Sequence, residues 1–207
     1  MIHSWQKLLD SIFPPTAHEL LLRQYTPESF VRFLKPQSIE EIIYISNYHL
    51  PPIQAAIAAT KFEHSFHAAL LLQYLVTEWL RSLPPKPTLL IPIPLSQKRE
   101  RDRSYNQVTR VIAPIKNLPY PVTVKSNLIM RTRDTIAQTS LKRNDRLKNM
   151  QGAFTVNQSV IKKLPADIRI IICDDVLTTG TTLNAAKAAL LPYLNPKTEL
   201  ICVAWAH

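Results

Sequence analysis

The stretch RIIICDDVLTTGTTLNAAKAALL, residues 169–191, dictates more of the fold than any other part of the chain. RIIIC is a continuous apolar run, as a strand covered on both faces requires. The alanine-rich run that begins at Thr181 reads as a helix, with threonine at its start. Two carboxylates, two apolar residues and TTG lie between, so the strand must turn sharply onto a helix N-terminus. Gly180 in this turn is one of only two glycines in 207 residues, where ordinary usage of ~7% would supply about fourteen.

Strands and helices alternate from residue 88 onward. Expected strands lie at 88–94, 121–130, 154–156, 169–173 and 199–206, and expected helices at 104–113, 140–150 and 181–191. This alternation implies an α/β fold with a mostly parallel twisted sheet flanked by helices, and with ligands at the C-terminal ends of its strands. PPKP at 84–87 is a stiff linker, and a change of composition there divides the chain into an N-terminal helical region, 1–87, and a core, 88–207. Within the N-terminal region, 1–13 reads as a short helix and 38–46 as a strand. Residues 51–62 read as a helix opened by prolines, and 65–82 as a mostly buried helix. The proline-punctuated stretch 14–38 shows no period and is expected to lack regular structure.

Hydrophobic residues make up 46% of the chain and charged residues 19%, which argues for a folded chain over a disordered one. No apolar run reaches the ~18 residues of a membrane span. The N-terminus lacks the features of a signal peptide, and a cytoplasmic location is expected. Cys173 and Cys202 both fall inside expected strands, as small core residues of a reducing compartment. With no CxxC pair a zinc ribbon is excluded. His64 and His67 have no further ligand at a metal spacing, and a structural role is expected for them. The net charge of +10 is concentrated: residues 98–148 hold 13 Lys or Arg against 4 Asp or Glu, and the rest of the chain 12 against 11. Such a segment is either a solvated face or a site for a polyanion such as nucleic acid or pyrophosphate.

Free amide groups at a helix N-terminus, with the positive end of the helix dipole, accept a phosphate. Thr178, Thr179, Thr181 and Thr182 add small hydroxyl donors. Gly180, without a Cβ, can take a positive φ and let backbone amides approach an anion. Asp174 and Asp175 would repel that phosphate at contact, but they suit the vicinal hydroxyls of a sugar one step away. The ligand that satisfies both halves is a ribose 5-phosphate. The plainer reading makes the acidic pair a loop cap and TTGTT an ordinary turn; the complete strand–DD–VLTTGTT–helix string favours the ligand.

CDDVLTTGTT resembles the fingerprint of the type I phosphoribosyltransferases: a hydrophobic strand, two acidic residues, two hydrophobics, then Thr-Thr-Gly-small-Thr. Two flanking stretches, IPIPLSQKRERDRSYNQ (91–107) and RTRDTIAQTSLKRNDRLKNMQGAF (131–154), resemble the ComF-type competence branch, as does Lys61-Phe62 ahead of the core. The resemblance implies a type I phosphoribosyltransferase fold, with residues 1–87 as a small helical and hood region. It implies phosphoribosyl pyrophosphate (PRPP) as ligand. Asp174 and Asp175 would act as the catalytic pair on the ribose hydroxyls, and Thr178, Thr179, Gly180, Thr181 and Thr182 would hold the 5-phosphate. Arg99, Arg101, Arg103, Arg131 and Arg133 are the candidates for the pyrophosphate. Mg²⁺ would arrive with PRPP, without direct protein ligation.

As an enzyme, such a chain would let a nitrogen nucleophile displace pyrophosphate from C1 of the ribose, a pentosyl transfer; no residue identifies the acceptor. The ComF-like flanks imply a link to DNA uptake in natural competence, with single-stranded DNA and uptake proteins as partners. Three other readings stand beside it: single-strand binding without turnover, regulatory sensing of PRPP, and nucleobase salvage. Two departures from the ComF pattern matter. The four-cysteine zinc module common at the start of such proteins is absent. Ser104 stands where the pattern has glycine, which predicts a different backbone shape at the turn into Tyr105-Asn106-Gln107.

Overall fold

The computed structural model describes residues 14–96, 100, 101, 103–132 and 152–207. The expected helices 1–13 and 140–150 fall wholly outside them, as do Arg99 and Arg133.

The first elements lie where no regular structure was expected. Helix α1 (Ala17–Leu22) starts on Thr16, whose hydroxyl accepts a hydrogen bond from the Glu19 amide. Helix α2 (Pro27–Phe30) starts on a reciprocal capping box between Thr26 and Ser29, with proline in its first turn, and runs into a 3-10 turn (Val31–Phe33). Such elements are too short to show a period, and their caps are the only local signal. Tyr25, Phe30 and Phe33 stack edge to face with centroids 5.2–5.7 Å apart.

The expected single strand 38–46 is a hairpin of β1 (Gln37–Ile39) and β2 (Ile42–Tyr44). Glu40 and Glu41 form its tip at φ 48° and 65°, the positive values that a tight two-residue hairpin turn demands. Glutamates in that role, in place of Asn-Gly, concealed the turn. Helices α3 (Pro51–Phe62) and α4 (Phe66–Arg81) follow as expected, the second capped by Ser65. Strand β3 (Thr88–Pro92) precedes helix α5 (Gln107–Ile112). The expected strand 121–130 is broken by a turn into β4 (Val122–Val124) and β5 (Ile129–Arg131), which belong to different sheets. Strand β6 (Phe154–Val156) pairs with β5, and the short helix α6 (Gln158–Ile161) follows. Strand β7 (Arg169–Val176), helix α7 (Thr181–Leu190) and strand β8 (Glu199–Ala206) complete the described chain.

The main sheet has the order β1-β2-β8-β7-β3-β4, antiparallel only between β1 and β2. It is the mostly parallel, helix-flanked α/β sheet that the alternation predicts, and it includes the hairpin from before PPKP. Side chains alternate across its central strands. Leu90, Ile171, Cys173, Val203 and Trp205 face α3, α4 and α5. Leu89, Ile91, Ile170, Ile172, Cys202 and Ala204 face α7 and the β5–β6 ribbon. Each fully buried aliphatic side chain contributes roughly 1.5–3 kcal/mol. Cys173 and Cys202 are both buried and unbridged, one on each face. No helix among the described residues is long and apolar enough to cross a membrane.

Candidate ribose-phosphate site

Strand β7 runs three residues beyond the apolar RIIIC, so both carboxylates belong to the strand itself. Consecutive strand residues alternate, which sends Asp175 to the α3/α5 face and Asp174 to the α7 face. Asp174 Oδ1 accepts the Asp175 backbone N–H at 2.8 Å. Asp175 is nearly enclosed. Lys61 Nζ, from the last turn of α3, lies 2.9 Å from its Oδ1, and Gln107 Nε2, from the first turn of α5, donates to its Oδ2 at 2.6 Å.

A second layer supports these contacts. Arg103 donates to Gln107 Oε1 at 3.1 Å and lies over the Phe62 ring, 5.0 Å from its centroid. Asn106 caps α5 through its Oδ1 and donates from Nδ2 to the Ile93 carbonyl at 2.8 Å, which fixes the helix start against the end of β3. The Tyr105 hydroxyl donates to the Thr60 carbonyl. Its ring meets His64 at 4.8 Å between centroids, and Arg110 lies over it at 5.1 Å. His67 bonds the Leu22 carbonyl at 3.1 Å. The two histidines thus have local partners within the fold.

Ser104 has a φ of +59°, the left-handed shape that glycine adopts most easily, and serine bears the strain.

Beyond Asp175 the chain turns through Leu177 onto α7. Gly180 is the N-cap at φ 69°, ψ −6°, the positive φ expected of it. A second constraint was not legible in the sequence: a Cβ at this position would come within 2.7 Å of Ile42 Cδ1, from β2. The loop therefore lies tightly against a strand of the N-terminal hairpin. No side chain caps α7, so its first-turn amides lack the side-chain partner that a capping residue would supply. Thr179 and Thr181 share a hydroxyl–hydroxyl hydrogen bond of 2.8 Å. Thr181 is buried, Thr178 exposed, and Thr179 and Thr182 half-buried.

Three of the five candidate pyrophosphate arginines fall among the described residues. Arg103 belongs to the network around Asp175. Arg101 is exposed, and Arg131 lies on the β5–β6 ribbon with its guanidinium 5.6 Å from the Phe154 ring centroid. Arg99 and Arg133 lie outside the described residues. Lys61 and Gln107 are the residues whose roles sequence reasoning missed. The signals were a lone cation closing an apolar, alanine-rich helix, and a polar residue opening another.

Two nearby groups titrate abnormally. Burial pushes the Glu63 carboxyl up, but hydrogen bonds from His18 and Thr16, with the His18 charge, outweigh it and hold the group below its ordinary value. Those contacts pin α1 to the end of α3. Burial, with the Cys202 and Asp174 charges, pushes the Cys173 thiol far above its ordinary range.

Residues 95–207 match the phosphoribosyl transferase domain. The chain belongs to that family. This phosphoribosyltransferase-family chain is 29% identical to Competence protein F of Haemophilus influenzae over 190 residues, covering 89% of the chain and 81% of that protein. It is 29% identical to DNA utilization protein YhgH of Salmonella typhi over 163 residues, 76% of the chain and 68% of that protein. Competence protein ComFC of Bacillus subtilis is 32% identical over 108 residues, 52% of the chain and 40% of that protein. These similarities place it on the ComF-type branch of the phosphoribosyltransferases.

Proposed function

We propose that this chain binds Mg·PRPP, or a related ribose 5-phosphate, at the end of β7 and transfers its pentosyl group to a nitrogen acceptor in a process linked to DNA uptake. One observation carries the reading: an acidic pair at the end of the central strand leads directly into a left-handed Gly180 that opens α7. The loop 178–182 would take the 5-phosphate on backbone amides and threonine hydroxyls. The acidic pair would accept hydrogen bonds from the ribose diol and stabilise positive charge developing at C1 as pyrophosphate departs. Arg99, Arg101, Arg103, Arg131 and Arg133 would supply the cations for the pyrophosphate.

The donor set fits a magnesium ion carried on the ligand. Asp175 already has an ammonium on one oxygen and an amide on the other, so a bare divalent cation there would compete with Lys61. When bound, the ion would neutralise charge on the pyrophosphate oxygens. The buried thiols suit a reducing, cytoplasmic location.

Calorimetry with Mg·PRPP tests the reading. Binding by the wild type, lost in Asp174→Asn/Asp175→Asn, is the expected result. Absence of heat from the wild type would leave the fold without this ligand.

A second reading, single-stranded DNA binding, has an observation of its own. Phe62, 67% exposed, stands with Arg103, while His64, Tyr105 and Arg110 form a neighbouring aromatic and basic cluster. The sequence showed few aromatics within the basic segment; the fold brings Phe62 and His64 to it from the end of α3. Aromatic faces beside arginines suit unstacked bases. Single-strand affinity that falls with salt, and falls again in Phe62→Ala, is expected; binding insensitive to both would remove this reading.

A further inference from the structure

We infer that Lys61 is a positioning residue for the ribose site, acting through Asp175 and without itself contacting the ligand. The inference rests on the ribose-phosphate reading above and adds the device that keeps its acidic pair usable.

Asp175 is ionisable, 7% exposed and covalently adjacent to a second carboxylate. Two unscreened carboxylates would repel the phosphates of the ligand they must receive. Lys61 answers this problem. Its ammonium sits 2.9 Å from Oδ1 with the two side chains 18% and 11% exposed, away from the full screening of bulk water. It cancels one of the pair's two charges.

The arrangement also fixes direction. An ionised carboxylate offers about four acceptor positions. Lys61 occupies one on Oδ1 and Gln107 one on Oδ2, which sets the plane of the group and leaves a further position on each oxygen for a vicinal diol. Gln107 is itself held by Arg103, and Arg103 by Phe62. Lys61 and Phe62 are consecutive, so the end of α3 braces the carboxylate directly through one residue and indirectly through the next.

The test is a double-mutant cycle read by Mg·PRPP calorimetry on wild type, Lys61→Met, Asp175→Asn and the double variant, each shown folded by thermal unfolding. Inorganic phosphate serves as a second probe. Each single variant is expected to weaken PRPP binding at least about tenfold. The double variant is expected to bind as weakly as the weaker single one, because both changes break the same device. Inorganic phosphate, which has no diol, is expected to shift less than about threefold in Lys61→Met, and Lys61→Arg is expected to recover most of the PRPP affinity. Lys61→Gln, which keeps a donor without a charge, carries the same test should the methionine variant fail to fold. Wild-type affinity in the neutral variants, losses that multiply in the double variant, or an equal loss for inorganic phosphate would each overturn the inference. A wild type that does not bind PRPP overturns the ribose-phosphate reading itself, and the two failures are told apart by which protein falls silent.

Discussion

Gly180 and Ile42 are packed so closely that a Cβ on the glycine would lie 2.7 Å from the isoleucine Cδ1. Gly180→Ala therefore meets two penalties: a left-handed backbone, costing roughly 1–2 kcal/mol, and a steric contact in a buried layer. Ile42→Val removes the offending Cδ1 and by itself costs about 0.5–1.5 kcal/mol. Denaturant unfolding of the two single variants and the double is expected to show a double loss smaller than the sum. Strict additivity would mean that the loop can move away from β2.

The two carboxylates differ in what they hold. Asp175→Asn leaves the Lys61 ammonium, largely covered, without its counter-charge, whereas Asp174→Asn does not touch that pair. Thermal and denaturant unfolding should show Asp175→Asn as the more destabilising change, by about 1–3 kcal/mol. Equal losses would show that Lys61 finds water or another partner at no cost.

Ser104 is exposed and holds φ +59°. Ser104→Gly relieves a left-handed strain of roughly 1–2 kcal/mol while adding unfolded-state entropy of about 0.5–1 kcal/mol. The expected net gain is about 0.5–1 kcal/mol by denaturant unfolding, with Ser104→Ala giving none. A loss in the glycine variant would show that the serine side chain supports the turn.

Cys202 gives an alkaline signature. Burial raises its thiol pKa, the Lys187 ammonium partly offsets this and Glu41 adds to it, for a rise from 9.0 to about 11. The folded state thus binds the proton more tightly than the unfolded chain. The associated stability is fully present below about pH 9 and is lost as pH climbs toward 11, on the order of 3 kcal/mol. Cys202→Ala should lose less stability than wild type across that window, measured relative to its own value near neutrality. Parallel pH curves would assign the alkaline loss to other groups.

The parts of the fold legible in the sequence were those written locally. RIIIC, the prolines of α3 and the threonines ahead of α7 each state their element within a few residues, and the acidic pair with TTGTT carries the proposed ligand class. Three features escaped because their causes are not local. The hairpin turn uses two glutamates where asparagine and glycine would have announced it. Helices α1 and α2 are shorter than a readable period. The bracing of Asp175 joins α3, α5 and β7, and no pattern within any one of them contains it.

The strand order carries a practical consequence. The segment that matches the phosphoribosyl transferase domain begins at residue 95, after β3, yet β3 lies between β7 and β4, and β2 lies beyond β8. A fragment trimmed to that segment would leave β7 bonded on one side only. The main-chain donors and acceptors of its apolar residues would then form an open edge, the kind of surface on which chains add to one another. Recombinant pieces designed from the family match alone should therefore precipitate, while those that begin ahead of α1 stay in solution.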